Sequence, residues 1–168
     1  TITGGVVATG RFRYSTVPVG SVAYSSFGTD TTPVDGTIYW ADIFLPRNIT
    51  LTGIGLLNGS AAATDKYVYG LYDSTGTLVA NTATAGVVAS GANAFQEIAF
   101  TATYAAVGPA RYWIGVQTNG TTTRLRTVAA STFIDVLTTS ATGTFGTLST
   151  LTPPTTFTAT VGPIAYVY

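Results

Sequence analysis

Hydrophobic and polar positions alternate along most of the chain with a period of two, which predicts strands and no helix of any length. From Arg11 to Thr16, Arg11, Arg13 and Ser15 alternate with Phe12 and Tyr14, the pattern of a half-buried strand with two arginines on its outer face. After a turn-rich stretch through Gly28, Pro33 and Gly36, the run TIYWADIFLP, Thr37 to Pro46, carries large side chains at both parities. Such a strand is central, or lies against a neighbour, and its proline ends it. Asn48 to Gly59 reads as the next strand, with Gly53 and Gly55 on one face leaving room for close backbone approach or a bulge.

KYVYGLYDSTGTLVA, Lys66 to Ala80, reads as a hairpin about Asp73 to Gly76, where Asp caps its own backbone and Gly takes a positive φ. Phe95 to Tyr104 places Ile98 and Phe100 on one face and Glu97 on the other. A second hairpin is predicted about Asn119-Gly120. On its first strand Tyr112, Ile114 and Val116 face one way, so Trp113 points the other way and is the aromatic residue expected at the surface. On its return strand Arg124 and Arg126 share a face. VGPIAYVY, from Val161, supplies the last strand, tied into a sheet with Ile164, Tyr166 and Tyr168 on one side.

Residues 129–160 break the pattern. They are rich in Thr, Ser, Gly and Pro, with Phe133, Phe145, Leu148, Leu151 and Phe157 among sparsely spaced apolar positions. A stretch of about 30 structureless residues is unusual inside a compact domain. It is either an arm that docks on a neighbouring subunit or a long loop that wraps its own sandwich. In total the chain is predicted to be all-β, a single antiparallel β-sandwich over 1–168, jelly-roll-like, with about eight or nine short strands.

Composition adds mainly exclusions. The 168 residues include no His, Cys or Met, and 8% are charged, seven Lys and Arg against seven Asp and Glu. Without His or Cys the usual general base, nucleophile and metal ligands are missing, so no catalytic residue, cofactor or metal is expected. A balanced charge gives no field for a phosphate backbone, and no run approaches the roughly 18 apolar residues of a membrane helix. Nucleic-acid and membrane partners are therefore not expected. Glu97 has no second acid in its motif for glycoside hydrolysis, and GTDTTPVDG, Gly28 to Gly36, lacks the spacing of a Ca²⁺ loop.

Ordinary domains are about 25% charged, and so neutral a chain favours self-association or coverage by another protein. Residues expected at such contacts are Arg11, Arg13, Arg124 and Arg126, whose two-pronged guanidinium groups survive desolvation, together with Trp113, Phe133, Phe145 and Phe157. An exposed row of Tyr and Trp would serve equally as a sugar-stacking platform.

The runs TIYWADIFLPRNITLTGIGLLNG, KYVYGLYDSTGTLVA and AFQEIAFTATYAAVGPARYWIGVQTNG, which span Thr37 to Gly120, resemble the jelly-roll-like β-sandwich domains of accessory structural proteins of tailed bacteriophages. A hairpin like LYDSTGTLVA and a strand like GPARYWIGV recur in that group. The resemblance implies a protein of the outer virion surface, commonly a homotrimer, and carries over no ligand residues. Two functions stay open: a capsid decoration or cement protein bound to the major capsid protein or another virion protein, and a host-receptor or carbohydrate-binding domain of a fibre or other extracellular surface protein.

Overall fold

The structure is a computed structural model that describes residues 14–17, 23–129 and 135–168. Arg11, Arg13 and Phe133 lie outside the described residues. Eleven strands occur among those described, more than the eight or nine expected because several are only two to four residues long: β1 (Thr29–Thr31), β2 (Ile38–Leu45), β3 (Ile49–Leu57), β4 (Lys66–Tyr72), β5 (Leu78–Asn81), β6 (Val87–Val88), β7 (Phe95–Ala106), β8 (Ala110–Thr118), β9 (Leu125–Thr127), β10 (Thr138–Ala141) and β11 (Ala165–Val167). One helical turn is 3₁₀, Tyr24–Ser26.

All pairings are antiparallel. The larger sheet runs β10-β2-β8-β4-β5, with β6 also on β4; the smaller runs β11-β3-β7; β1 and β9 form a two-stranded ribbon. The chain is thus an antiparallel β-sandwich. Between the sheets, alternate residues of each strand interdigitate: Ile43 and Leu45 from β2, Leu51, Ile54 and Leu56 from β3, Tyr67, Tyr69 and Leu71 from β4, Ile98 and Phe100 from β7, and Tyr112, Ile114 and Val116 from β8. Burying such side chains, at about 25 cal/mol per Å² of apolar surface, is the main force holding the sheets together.

β3 changes parity between Leu51 and Ile54, and the ladder shows why. Leu51 pairs with Tyr104 and Gly53 with Ala99, so residues 100–103 of β7 have only Thr52 opposite them. The bulge turns β7 toward β5, where the Thr101 hydroxyl donates to the Asn81 carbonyl at 3.1 Å. The N–H groups of Thr52 and Gly53 donate instead to the carbonyl of Tyr168, at 2.6 and 3.3 Å. The glycines serve close approach as well: a Cβ on Gly55 would lie 2.5 Å from Tyr166 Cε1, and one on Gly53 would lie 2.6 Å from the Ile98 carbonyl oxygen. Bulge and approach, offered by the sequence as alternatives, occur together. The described part of the first predicted strand, residues 14–16, lies along β11, with Tyr14 buried and Ser15 bridged to Tyr166.

The β4–β5 hairpin forms as predicted. The Asp73 carboxylate accepts N–H bonds from Thr75 and Thr77 at 2.9 and 3.0 Å, and Gly76 has φ of 85°. The second predicted hairpin does not form, because β9 leaves β8 and pairs with β1. Asp65 redirects it. Its carboxylate accepts the N–H groups of Thr122 and Thr123 at 2.7 and 2.8 Å, while Asn119 Oδ1 accepts the Lys66 N–H at 2.6 Å. Those bonds hold the loop after Gly120 in a crossover that carries the chain away from its own sheet.

Residues 135–160 form a strap that adds β10 to the edge of the larger sheet and then crosses its outer face, the second of the two arrangements left open by the sequence. β10 pairs with β2, from Thr138 opposite Ala41 to Ala141 opposite Ile38. Leu137, Leu148 and Leu151 then cover Ile38, Trp40, Tyr72 and Trp113, making a second apolar layer. Gln117, outward on β8, fixes the strap with three bonds. Its Nε2 donates to the carbonyls of Gly36 (2.8 Å) and Thr144 (3.0 Å), and its Oε1 accepts the Gly146 N–H (2.9 Å). The Leu151 N–H donates to the carbonyl of Gly76, at 2.9 Å, tying the strap to the β4–β5 turn.

Candidate interaction surface

The expected contact residues are mostly occupied inside the fold. Trp113, expected at the surface, is 1% exposed. The parity argument placed its side chain on the correct face of β8, but that face is covered by the strap. Phe145 and Phe157 are half-buried on their own chain, Phe157 against a side cluster of Val17, Ala41, Leu57, Val128, Val136 and Ile164. Arg124 and Arg126 do converge on a carboxylate, that of Asp30 in the same chain. Arg124 Nη1 lies 3.9 Å from Oδ2 and Arg126 Nε 3.9 Å from Oδ1. Arg126 is buried, and its Nη2 donates to Asn93 Oδ1 at 2.7 Å.

The acids are engaged in the same way. Burial pushes the Asp30 carboxyl up, but bonds from the Ser60 hydroxyl and N–H, reinforced by Arg126 and Arg124, leave it below its usual value. Asp65 and Asp73 also stay low, since backbone and hydroxyl donors outweigh a burial penalty. Asp42 shows the opposite balance. It is buried on the outward side of β2, and desolvation raises its carboxyl despite the Leu137 N–H at 2.6 Å and the Arg111 guanidinium at 3.1 Å. Glu97 accepts the Tyr166 hydroxyl at 2.6 Å.

Among the described residues the aromatic row is not a flat platform. Tyr24, Phe95, Tyr166 and Tyr168 form a row with centroid spacings of 5.2, 5.1 and 6.3 Å, but successive rings are inclined at 85°, 63° and 57°. The first two contacts are edge-on and the third is tilted, which is packing geometry and not a stacking surface. Tyr67, Tyr69 and Tyr72 are buried, and desolvation pushes the Tyr67 and Tyr72 hydroxyls up to about 12.

The surface features missed at the level of sequence are exposed apolar side chains: Val34, Val87 and Val88, and also Phe44 and Val107. Phe44 on β2 is 62% exposed and Val107, after β7, is 65% exposed. Phe44 shares its parity with Ile38, Trp40 and Asp42, but the strap stops short of it. Where β3 begins and β7 ends, Asn48, Ile49, Thr50, Ala105, Ala106 and Val107 line an open groove of about 290 Å³. Asn48 Oδ1 accepts the Gly108 N–H at 2.9 Å and so joins the β2–β3 turn to the β7–β8 turn beside that groove. The alternation TIYWADIFLP does identify Phe44 as outward-facing; what it cannot report is where the strap ends.

Among the described residues no group of three or more His, Cys, Asp or Glu side chains is arranged to hold a metal ion, and no helix is long and apolar enough to cross a membrane. Compared with family models, with curated proteins and with solved structures, the chain matches none. The class that the fold defines is therefore an antiparallel β-sandwich, with few charges and several exposed apolar side chains on its surface.

Proposed function

We propose that the chain is a structural virion protein, a decoration or cement protein that reinforces a phage shell through contacts with itself and with the shell subunits. One observation carries this reading above the others. Only 8% of the residues are charged, and Asp30, Asp42, Asp65, Asp73, Arg111, Arg124 and Arg126 serve internal bonds; the further exposed charges among the described residues are Asp35, Arg47, Glu97 and Asp135, set in a surface of Thr, Ser and Ala that also exposes Val34, Phe44, Val88 and Val107. A soluble monomer ordinarily spreads charges of both signs over its surface. A surface so sparsely charged suits permanent contact.

The chemistry would be burial alone. At about 25 cal/mol per Å² of apolar area, several hundred Å² per contact reinforces a lattice, and repetition over the lattice multiplies the effect through avidity. Because the strap rests on its own sheet, the contacts fall to the folded surface and not to a free arm.

Electron cryomicroscopy of phage shells incubated with the purified chain tests this. Ordered density at repeated positions on the outer shell, with a higher temperature of shell disruption, is the expected result. Density confined to a fibre or tail tip would favour a host-binding role, and absence from the particle would overturn both.

A further inference from the structure

We propose that Asn119 is a self-modification site: the backbone nitrogen of Gly120 attacks the Asn119 side-chain amide and turns a neutral residue into an acid at the start of the crossover from β8 to β9. The chain has two Asn-Gly pairs, Asn58-Gly59 and Asn119-Gly120, and the fold treats them in opposite ways. At the first pair both reacting groups are tied down. Asn58 is fully buried, its Nδ2 donates to the carbonyls of Ser90 (2.5 Å) and Gly91 (3.1 Å), and the Gly59 N–H donates to the Arg124 carbonyl at 2.7 Å.

At the second pair neither group is held. Asn119 is exposed in the bend after β8, and among the described residues no hydrogen bond engages its Nδ2 or the Gly120 N–H. Its Oδ1 does have a partner, the Lys66 N–H at 2.6 Å. A donor on the amide oxygen stabilises the negative charge that gathers there when a nitrogen adds to the carbon, as an oxyanion hole does. Glycine leaves the attacking nitrogen least hindered, and the fold holds position 120 to glycine. A Cβ there would lie 2.4 Å from Asp65 Oδ1, and that carboxylate is pinned by the N–H groups of Thr122 and Thr123.

The reaction needs water and no other reagent, since attack within one chain captures no second molecule. The Gly120 nitrogen gives its proton to solvent and bonds to Asn119 Cγ; the bond from Cγ to Nδ2 breaks, and Nδ2 takes a proton from solvent and leaves as ammonia. Water then opens the cyclic imide at either carbonyl, giving Asp at 119 or its β-linked isomer, in which the main chain runs through the side-chain carbons. Seven bases balance seven acids in the unaltered chain, so each event leaves a net negative charge. The β-linked form also lengthens the main chain just where the Asp65 bonds fix the crossover. The site is independent of any role on a virion.

The test incubates the purified chain for weeks in mildly alkaline buffers and follows it by isoelectric focusing and by mass mapping of its peptides. A more acidic band should accumulate, faster at higher pH because the attacking nitrogen must lose its proton, and ammonia should appear in equal amount. The amide-to-acid mass change should fall on Asn119 while Asn58 stays intact. In guanidinium chloride, with the fold removed, both pairs should convert. Asn119→Gln, whose longer side chain must close a larger ring, should lose the acidic band in native buffer. Conversion of Asn58 as fast as Asn119 in native buffer, an acidic band undiminished in Asn119→Gln, or an intact Asn119 over a period in which the unfolded chain converts would overturn the proposal.

Discussion

Two glycines and two aspartates show how single residues set local energetics. Gly53 is confined between the Tyr168 ring and the backbone carbonyl of Ile98, 2.6 Å from where a Cβ would stand, whereas Gly55 faces the Tyr166 ring alone. A ring can shift more readily than a sheet carbonyl. Gly53→Ala should therefore cost more than Gly55→Ala, both within the 1–3 kcal/mol or so typical of overpacking, as read from urea midpoints. Equal midpoints would mean that the carbonyl yields as easily as the ring. Asp30 and Asp42 differ in sign. Asp30 is held below the ordinary carboxylate value of 3.8, so its stabilisation is present above that pH and is lost as pH falls toward its folded value. Asp42 is raised, so its contribution runs the other way, growing as pH falls through its folded value. Asp30→Asn should lose about 1–3 kcal/mol at pH 7 through the buried Arg126, with a shallower loss on acidification. Asp42→Asn should be at least as stable as the parent at pH 7, because its Oδ1 still accepts the Leu137 N–H and Arg111 is largely solvated, and the gap should close toward pH 4. Urea titrations from pH 3 to 7 check both; a marked loss for Asp42→Asn at pH 7 would contradict the assignment.

The strap is the element on which most else depends. Leu151 is buried over Trp40 and Trp113, the only two tryptophans of the chain. Leu151→Ala should cost about 2–5 kcal/mol and shift tryptophan emission to the red. Unchanged emission with an unchanged midpoint would show that the strap does not seal that layer. The sequence was readable wherever the determinants lie within one or two neighbouring segments. The two-sided burial of β2, the inward set Tyr112, Ile114 and Val116, the Asp73–Gly76 turn and the glycine face of β3 all follow from local alternation and turn chemistry. It was not readable where a distant residue decides. Asn119-Gly120 carries as good a hairpin signal as any in the chain, but Asp65, on another segment, captures the following N–H groups and sends β9 to β1. Likewise Trp113 was placed on the correct face, but nothing local shows that Leu148 and Leu151, spaced without period in a Thr-rich stretch, would cover it. Arg124, just before β9, and Arg126 on it were expected at a contact with a neighbouring chain; the carboxylate they meet is Asp30 of the same chain, a distant residue that local alternation does not show.

Over the whole molecule, topology sets the folding rate. Apart from β4 with β5 and with β6, every strand pairing among the described residues joins segments far apart in sequence: β2 with β8 and β10, β4 with β8, β3 with β7 and β11, β1 with β9. Loop closure must precede most of the stabilising contacts, so refolding monitored by stopped-flow fluorescence should take milliseconds to seconds, and a microsecond phase carrying the full amplitude would contradict that. The wiring of β11 has a separate outcome for a cut chain. Thr152, Thr155 and Thr156 are exposed, just past the Leu151 anchor, whereas β11 beyond them is hydrogen-bonded to β3 on one edge and to residues 14–16 on the other. A protease that nicks this short exposed stretch would leave a small C-terminal peptide locked into the sheet by its backbone. The clipped protein should elute as one species in native buffer and separate into two in denaturant, and the two purified fragments should restore the fold when recombined.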